Sequence, residues 1–163
     1  LLSFHQVDDK EFWRQDFQKG KTQEEYNRRY YEEILKTVKI YKNYSVIAHM
    51  DVIKRYDLQG EYPFEKIQDL VKQIFEVIIP DGRGIELNTS SRAYKLKSLM
   101  PSREILELYH QMGGEVITIG SDAHNEERIG EGVKEMQELL KEIGFQGICT
   151  FDRMQPVFHP FEA

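Results

Sequence analysis

Asp122 and His124 stand two residues apart, just past the β-branched run Val116-Ile117-Thr118-Ile119 and the pair Gly120-Ser121. Alternate residues of an extended chain share a face, so this spacing aims a carboxylate and an imidazole in one direction. That mixed nitrogen and oxygen pair suits zinc, manganese or iron; calcium takes oxygen throughout. Two more histidines close apolar runs of the same kind, His5 after Leu1-Leu2-Ser3-Phe4 and His49 after Tyr44-Ser45-Val46-Ile47-Ala48. A fourth run, Gly84 to Thr89, carries Glu86 and Asn88 on one face and Ile85 and Leu87 on the other. Any one strand-end histidine is more often structural than a ligand. Three of the five histidines ending separate strand-like runs shift the balance toward a shared site, with His5, His49, Asp122 and His124 as the metal set.

Ions held this way lower the pKa of bound water toward neutrality, and two or more can hold the attacking and leaving oxygens of a phosphate ester. A phosphate also needs cations. Arg55 lies six residues beyond His49 and Arg92 four beyond Asn88, in loops expected to face the same mouth. Guanidinium grips phosphate oxygens bidentately, and the Thr-Ser-Ser setting of Arg92 adds hydroxyl donors. An ordinary surface arginine is the alternative for each. Glu86 reads as a buried carboxylate that orients a neighbouring loop rather than as a ligand.

The elements that must position these groups alternate. Thr22 and Glu25 form a capping box ahead of Tyr26, Tyr30, Ile34, Val38 and Tyr41, which gives a helix over about 22–42. Pro63 opens a second helix through Ile67, Leu70, Val71, Ile74 and Ile78, and Pro80-Asp81-Gly82 ends it. Pro101-Ser102 opens a third with Ile105, Leu106 and Leu108, stopped by Gly113-Gly114. Asn125 caps a fourth whose apolar stripe is Ile129, Val133, Met136, Leu140 and Ile143. Gly147 to Phe151 is a fifth strand, and Asp152 to Ala163 reads as irregular. Residues 6–21 form a polar excursion in which Trp13 reads as an aromatic packed beneath a loop, with a lid role as the alternative. Strand and helix alternating in this way are the signature of βαβ units, hence an α/β fold with a parallel sheet. In such sheets, reactive residues gather at the carboxyl ends of the strands, where His5, His49, Glu86 and Asp122 stand.

Bulk composition narrows the function. The chain has 163 residues, 40% hydrophobic and 31% charged, as expected for one domain. A net charge of -6 without a basic stripe argues against nucleic acid, and no apolar run reaches the roughly 20 residues needed to span a bilayer. With Cys149 alone no internal disulfide is possible, so a reducing cytoplasm is the expected compartment, and the thiol reads as core packing. There is no Gly-x-Gly-x-x-Gly, Walker loop, Gly-x-Ser-x-Gly elbow or His-Glu-x-x-His helix. His110 falls in a helix and His159 in the tail, both outside the proposed set.

Ser45-Val46-Ile47-Ala48-His49-Met50-Asp51 with Lys54-Arg55-Tyr56, then Gly84 to Ser90, then Thr118 to His124 with Ile129-Gly130, resembles the PHP (polymerase and histidinol phosphatase) superfamily. The resemblance runs from His5 to about Phe151 and is nearest to the monofunctional histidinol-phosphate phosphatases. It implies a distorted (β/α)7 barrel with two or three divalent ions, zinc, manganese or iron, and hydrolysis of L-histidinol phosphate in histidine biosynthesis. By position it implies His5, His49, Asp122 and His124 as metal ligands, Arg55 and Arg92 as phosphate-binding residues, and Asp122 as the residue managing the proton. Other phosphoesters, such as phosphotyrosine or a nucleotide, and a non-catalytic metal-binding domain are the alternatives. One departure is large: the family's amino-terminal His-x-His strand and a following Glu ligand have no counterpart here. The expectation is therefore a single domain over 1–163 that supplies the later strands and helices of the barrel and is amino-terminally incomplete.

Overall fold

Short β-branched runs joined by amphipathic helices pair in parallel, because the crossover helix covers the sheet only when successive strands run the same way. The computed structural model, which describes residues 1–162, has this arrangement through the middle of the chain. A small antiparallel pair, β1 (Gln6–Val7) and β2 (Lys10–Glu11), leads through turns to α1 (Gln23–Ile40). There follow β3 (Val46–Ile47), α2 (Gln68–Ile78), β4 (Gly84–Asn88), α3 (Arg103–Gln111), β5 (Ile117–Gly120) and α4 (Val133–Ile143). The chain closes on β6 (Gly147–Asp152) and β7 (Gln155–Pro160). Strands β3, β4 and β5 form one parallel sheet in that order, with Ile47 opposite Ile85 and Ile85 opposite Ile117.

The helices bury the stripes that their spacing marks out. Tyr26, Tyr30, Ile34 and Val38 of α1 and Leu70, Val71, Ile74, Phe75 and Ile78 of α2 are all buried. Each such side chain contributes about 1.5–3 kcal/mol relative to exposure. Thr22 and Glu25 complete the capping box: Thr22 N–H donates to Glu25 Oε2 at 2.7 Å and Glu25 N–H to Thr22 Oγ1 at 3.2 Å. Tyr41 lies past the end of α1 and is exposed.

Three expectations are corrected. The opening run contributes a single parallel bridge rather than a strand: Leu2 N–H donates to Val46 O and Ala48 N–H to Leu2 O, both at 2.9 Å. That bridge still extends the sheet beyond β3. Asn125 caps only a short 3₁₀ turn, Glu126–Arg128, and Ile129 is exposed. The left-handed glycines Gly130 and Gly132 interrupt the helical period there, so α4 begins at Val133. The tail is not irregular: Gln155–Pro160 pairs antiparallel with β6, and the two form a sheet separate from the parallel one. The α/β class holds: among the described residues the fold is a mixed α/β arrangement of one three-stranded parallel sheet and two antiparallel pairs, with no closed barrel.

Candidate functional site

A cavity of about 490 Å³ opens at the carboxyl ends of β3, β4 and β5. His5, His49, Arg55, Glu86, Asp122 and His124 all line it. The rings of His5 and His49 lie edge to face with centroids 5.0 Å apart. His5 is brought there by the Leu2 bridge beside β3, and His49 by the turn that ends β3. Both His49 (φ 31°) and Asp122 (φ 50°) adopt left-handed backbone. Asp122 therefore reaches the cavity through a bend past Gly120, not by alternation along an extended strand as its spacing implies. His124, exposed at the rim, places Nδ1 2.8 Å from the Asp122 carbonyl oxygen, which leaves Nε2 as its outward atom.

Glu86 is buried at the centre and orients its neighbours. Its Oε2 accepts the His49 N–H at 3.0 Å and an Asn88 Nδ2 hydrogen at 3.2 Å. The Asn88 Oδ1 in turn accepts from Ser90 N–H at 3.0 Å. A β-carbon at Gly120 would run into Glu86 Oε1, so glycine lets β5 close on this carboxylate without displacing it. Burial pushes the Glu86 carboxyl above its ordinary pKa against the hydrogen bonds that favour the anion.

Arg55 rides on the 3₁₀ turn Val52–Tyr56, and its side chain is 6% exposed. One terminal nitrogen donates to Ser90 Oγ at 2.9 Å and lies 3.4 Å from Asp122 Oδ2, while the Tyr94 ring stacks on its face. Beneath this turn, Asp51 and Lys54 form a buried ion pair at 2.7 Å, and Asp51 Oδ2 also accepts the Ser102 N–H at 2.9 Å. Burial raises the Asp51 pKa and outweighs the opposing pull of Lys54.

His49 is held neutral, its pKa pulled down to about 4 by burial first and by the neighbouring His5 second. The His5 pKa is also lowered, by burial and the Arg55 charge, with Asp122 opposing. The buried His49 Nδ1 has no hydrogen-bond partner. A neutral imidazole with an unsatisfied buried nitrogen suits a divalent ion in kind. It falls short in number, because among the described residues no three His, Cys, Asp or Glu side chains form a group able to hold an ion. The Asp122 carboxylate is turned to Arg55 and Ser90 instead. The four expected ligands share a cavity but not a coordination sphere.

Arg92 lies elsewhere. It pairs with Glu135 of α4, both exposed, and lines a separate cavity of about 350 Å³ with Thr89 and Ser91. The 3₁₀ turn Thr89–Ser91 is the cause: it directs Ser90 toward Arg55 and Asp122 and its flanking residues the other way. Trp13 is 48% exposed and sits beside Tyr56 with ring centroids 6.4 Å apart, so it is not tucked beneath its loop. The sequence reading missed Tyr94 and the Asp51–Lys54 pair. Tyr94 stands in an aperiodic loop that carries no signal, whereas an Asp and a Lys three apart beside Arg55 could have drawn notice.

Comparison with known proteins places this geometry. Residues 1–90 match the PHP domain family, 90 of 163 residues. A protein of Thermotoga maritima named as a probable histidinol-phosphatase is 32% identical over 107 residues, covering 66% of this chain and 44% of that one. The histidinol-phosphatase of Lactococcus lactis is 26% identical over 162 residues, covering 95% of this chain and 58% of that one. The crystal structure of histidinol phosphate phosphatase from Lactococcus lactis, complexed with zinc, L-histidinol and phosphate, superposes with a TM-score of 0.79 at 26% identity. That match covers 95% of this chain and 60% of the other. The chain thus spans between 44% and 60% of the length of these relatives. On the match across more than half its length, the chain belongs to the PHP domain family.

Proposed function

We propose that this chain is part of a divalent-metal-dependent phosphomonoesterase that hydrolyses L-histidinol phosphate to L-histidinol and phosphate in histidine biosynthesis. The observation that carries the reading is one cavity lined by His5, His49, Asp122, His124 and the Arg55 guanidinium. Its support is the likeness, over 95% of the chain, to a phosphatase structure holding zinc, L-histidinol and phosphate. His5, His49, Asp122 and His124 are the proposed ligands for two or three ions of zinc, manganese or iron. The rest of the set would come from outside these residues, in keeping with a chain that supplies the later part of a distorted (β/α)7 barrel. When bound, such ions polarise phosphoryl oxygens and acidify water.

The chain's own residues do the remainder. Arg55, almost wholly buried, presents its charge where little solvent screens it and grips the phosphate oxygens. Arg92 is proposed as the second phosphate-binding cation, a role that requires it to leave Glu135 and the separate cavity it lines; that exposed pairing is weak enough to give way to the stronger anion. Asp122 takes the proton of the attacking water, its Oδ2 being held by Arg55 and by Ser90 Oγ at 3.3 Å. A reducing cytosol suits the lone buried thiol of Cys149, and no helix among the described residues is long and apolar enough to cross a membrane.

The test is a panel of phosphomonoesters assayed on the full-length gene product, with and without chelator. Phosphate release that is fastest from L-histidinol phosphate and abolished by chelation is the expected result. Preference for phosphotyrosine or a nucleotide would make it a different phosphoesterase, and metal binding without turnover a non-catalytic domain. This segment alone is expected to turn over weakly or not at all, since among the described residues no complete ligand group forms.

A further inference from the structure

Every polar contact that fixes Arg55 falls on one nitrogen. The same terminal group meets Ser90 Oγ at 2.9 Å, Met100 Sδ at 3.8 Å and Asp122 Oδ2 at 3.4 Å, whereas the buried Nε has no partner. A planar cation tethered at one corner keeps the freedom to swing about that corner, and its remaining donors are then aimed at nothing in particular. What removes that freedom is Tyr94. The guanidinium carbon lies 3.5 Å from the centroid of its ring, a stacking distance that sets the plane of the cation.

The seat of Tyr94 is itself fixed to the site. Its N–H donates to Ser90 O at 3.1 Å and the Leu96 N–H to Ser91 O at 2.9 Å, which ties the loop to the turn that holds Asp122. At the far end of the loop, Lys54 Nζ donates to Ser98 Oγ at 2.8 Å and to Leu99 O, one residue from Arg55. Tyr94 also lines the cavity while remaining 42% exposed, so it carries little of the core.

We infer that Tyr94 is a positioning residue for Arg55: its ring holds the guanidinium plane so that the unpaired donors meet a phosphate oxygen in the cavity. This rests on the phosphatase reading above. The test uses the full-length metal-loaded protein, with inorganic phosphate titrated by calorimetry and KM and kcat measured for L-histidinol phosphate. Tyr94→Ala is expected to weaken phosphate about fivefold and to raise KM more than it lowers kcat. Tyr94→Phe, which keeps the ring, is expected to stay within about twofold of the parent. In an Arg55→Ala background, Tyr94→Ala is expected to add no further loss, because the two act as a unit. If Arg55→Ala weakens phosphate and Tyr94→Ala does not, or if the two losses add in full, the positioning role is overturned. If Arg55→Ala itself leaves phosphate binding unchanged, the failure lies with the phosphate reading of Arg55.

Discussion

The Glu86 carboxylate accepts the backbone N–H of His49 at 3.0 Å, so a side chain in the middle of one strand fixes the turn at the end of its neighbour. Glycine at 120 makes the room for it. Gly120→Ala is expected to destabilise the protein by about 1–3 kcal/mol by forcing Glu86 off His49. Urea unfolding at pH 7.5 measures this; a change under about 0.5 kcal/mol would show that the carboxylate relocates freely.

Acidification acts through His49, whose folded pKa of about 4 lies below the ordinary 6.5. Between those values the unfolded chain binds a proton that the folded chain refuses. The contribution of the neutral ring is therefore full above pH 6.5 and is lost progressively as pH falls toward 4. The whole window is worth on the order of 3 kcal/mol. Metal-free protein is expected to lose stability between pH 7.5 and pH 5 more steeply than His49→Gln does. Equal losses in the two would remove His49 as the cause.

The buried pair Asp51–Lys54 supports the turn beneath Arg55. Lys54→Met leaves a charge stranded and is expected to cost about 3–5 kcal/mol, whereas the double change Asp51→Leu with Lys54→Met costs far less. Thermal melts of the two variants decide it. A double variant no more stable than the single one would mean that the pair is needed for more than mutual neutralisation, as the Ser102 N–H bond to Asp51 would account for.

Under the proposed assignment, His49→Asn and Asp122→Asn lower the bound metal of the full-length protein, while Arg92→Ala leaves metal content intact and chiefly raises KM. Elemental analysis beside steady-state kinetics separates them. Unchanged metal content in the first two variants would end their assignment as ligands.

Much of the framework was legible because it follows from local rules. The capping box at Thr22 and Glu25, the buried stripe of α1 and the parallel pairing of β3, β4 and β5 all come from period and cap chemistry. The gathering of His5, His49 and Asp122 was legible from strand ends alone. What escaped depends on contacts far apart in the chain. The pairing of β7 with β6 rests on a turn through Arg153 and Met154, both at positive φ, which residue types do not announce. The direction of the Arg92 side chain is hidden in the same way: a 3₁₀ turn, not the distance from Asn88, decides which cavity it lines before any phosphate is bound.

The left-handed backbone at His49 and Asp122 is a local strain that the same side chains offset. A residue with a β-carbon forfeits about 1 kcal/mol in that conformation. The His49 ring fills a buried seat and the Asp122 carboxylate answers the buried Arg55 charge, so glycine at either position would relax the chain and leave a void or a stranded cation. A screen for heat tolerance and a screen for turnover would therefore both keep these two residues.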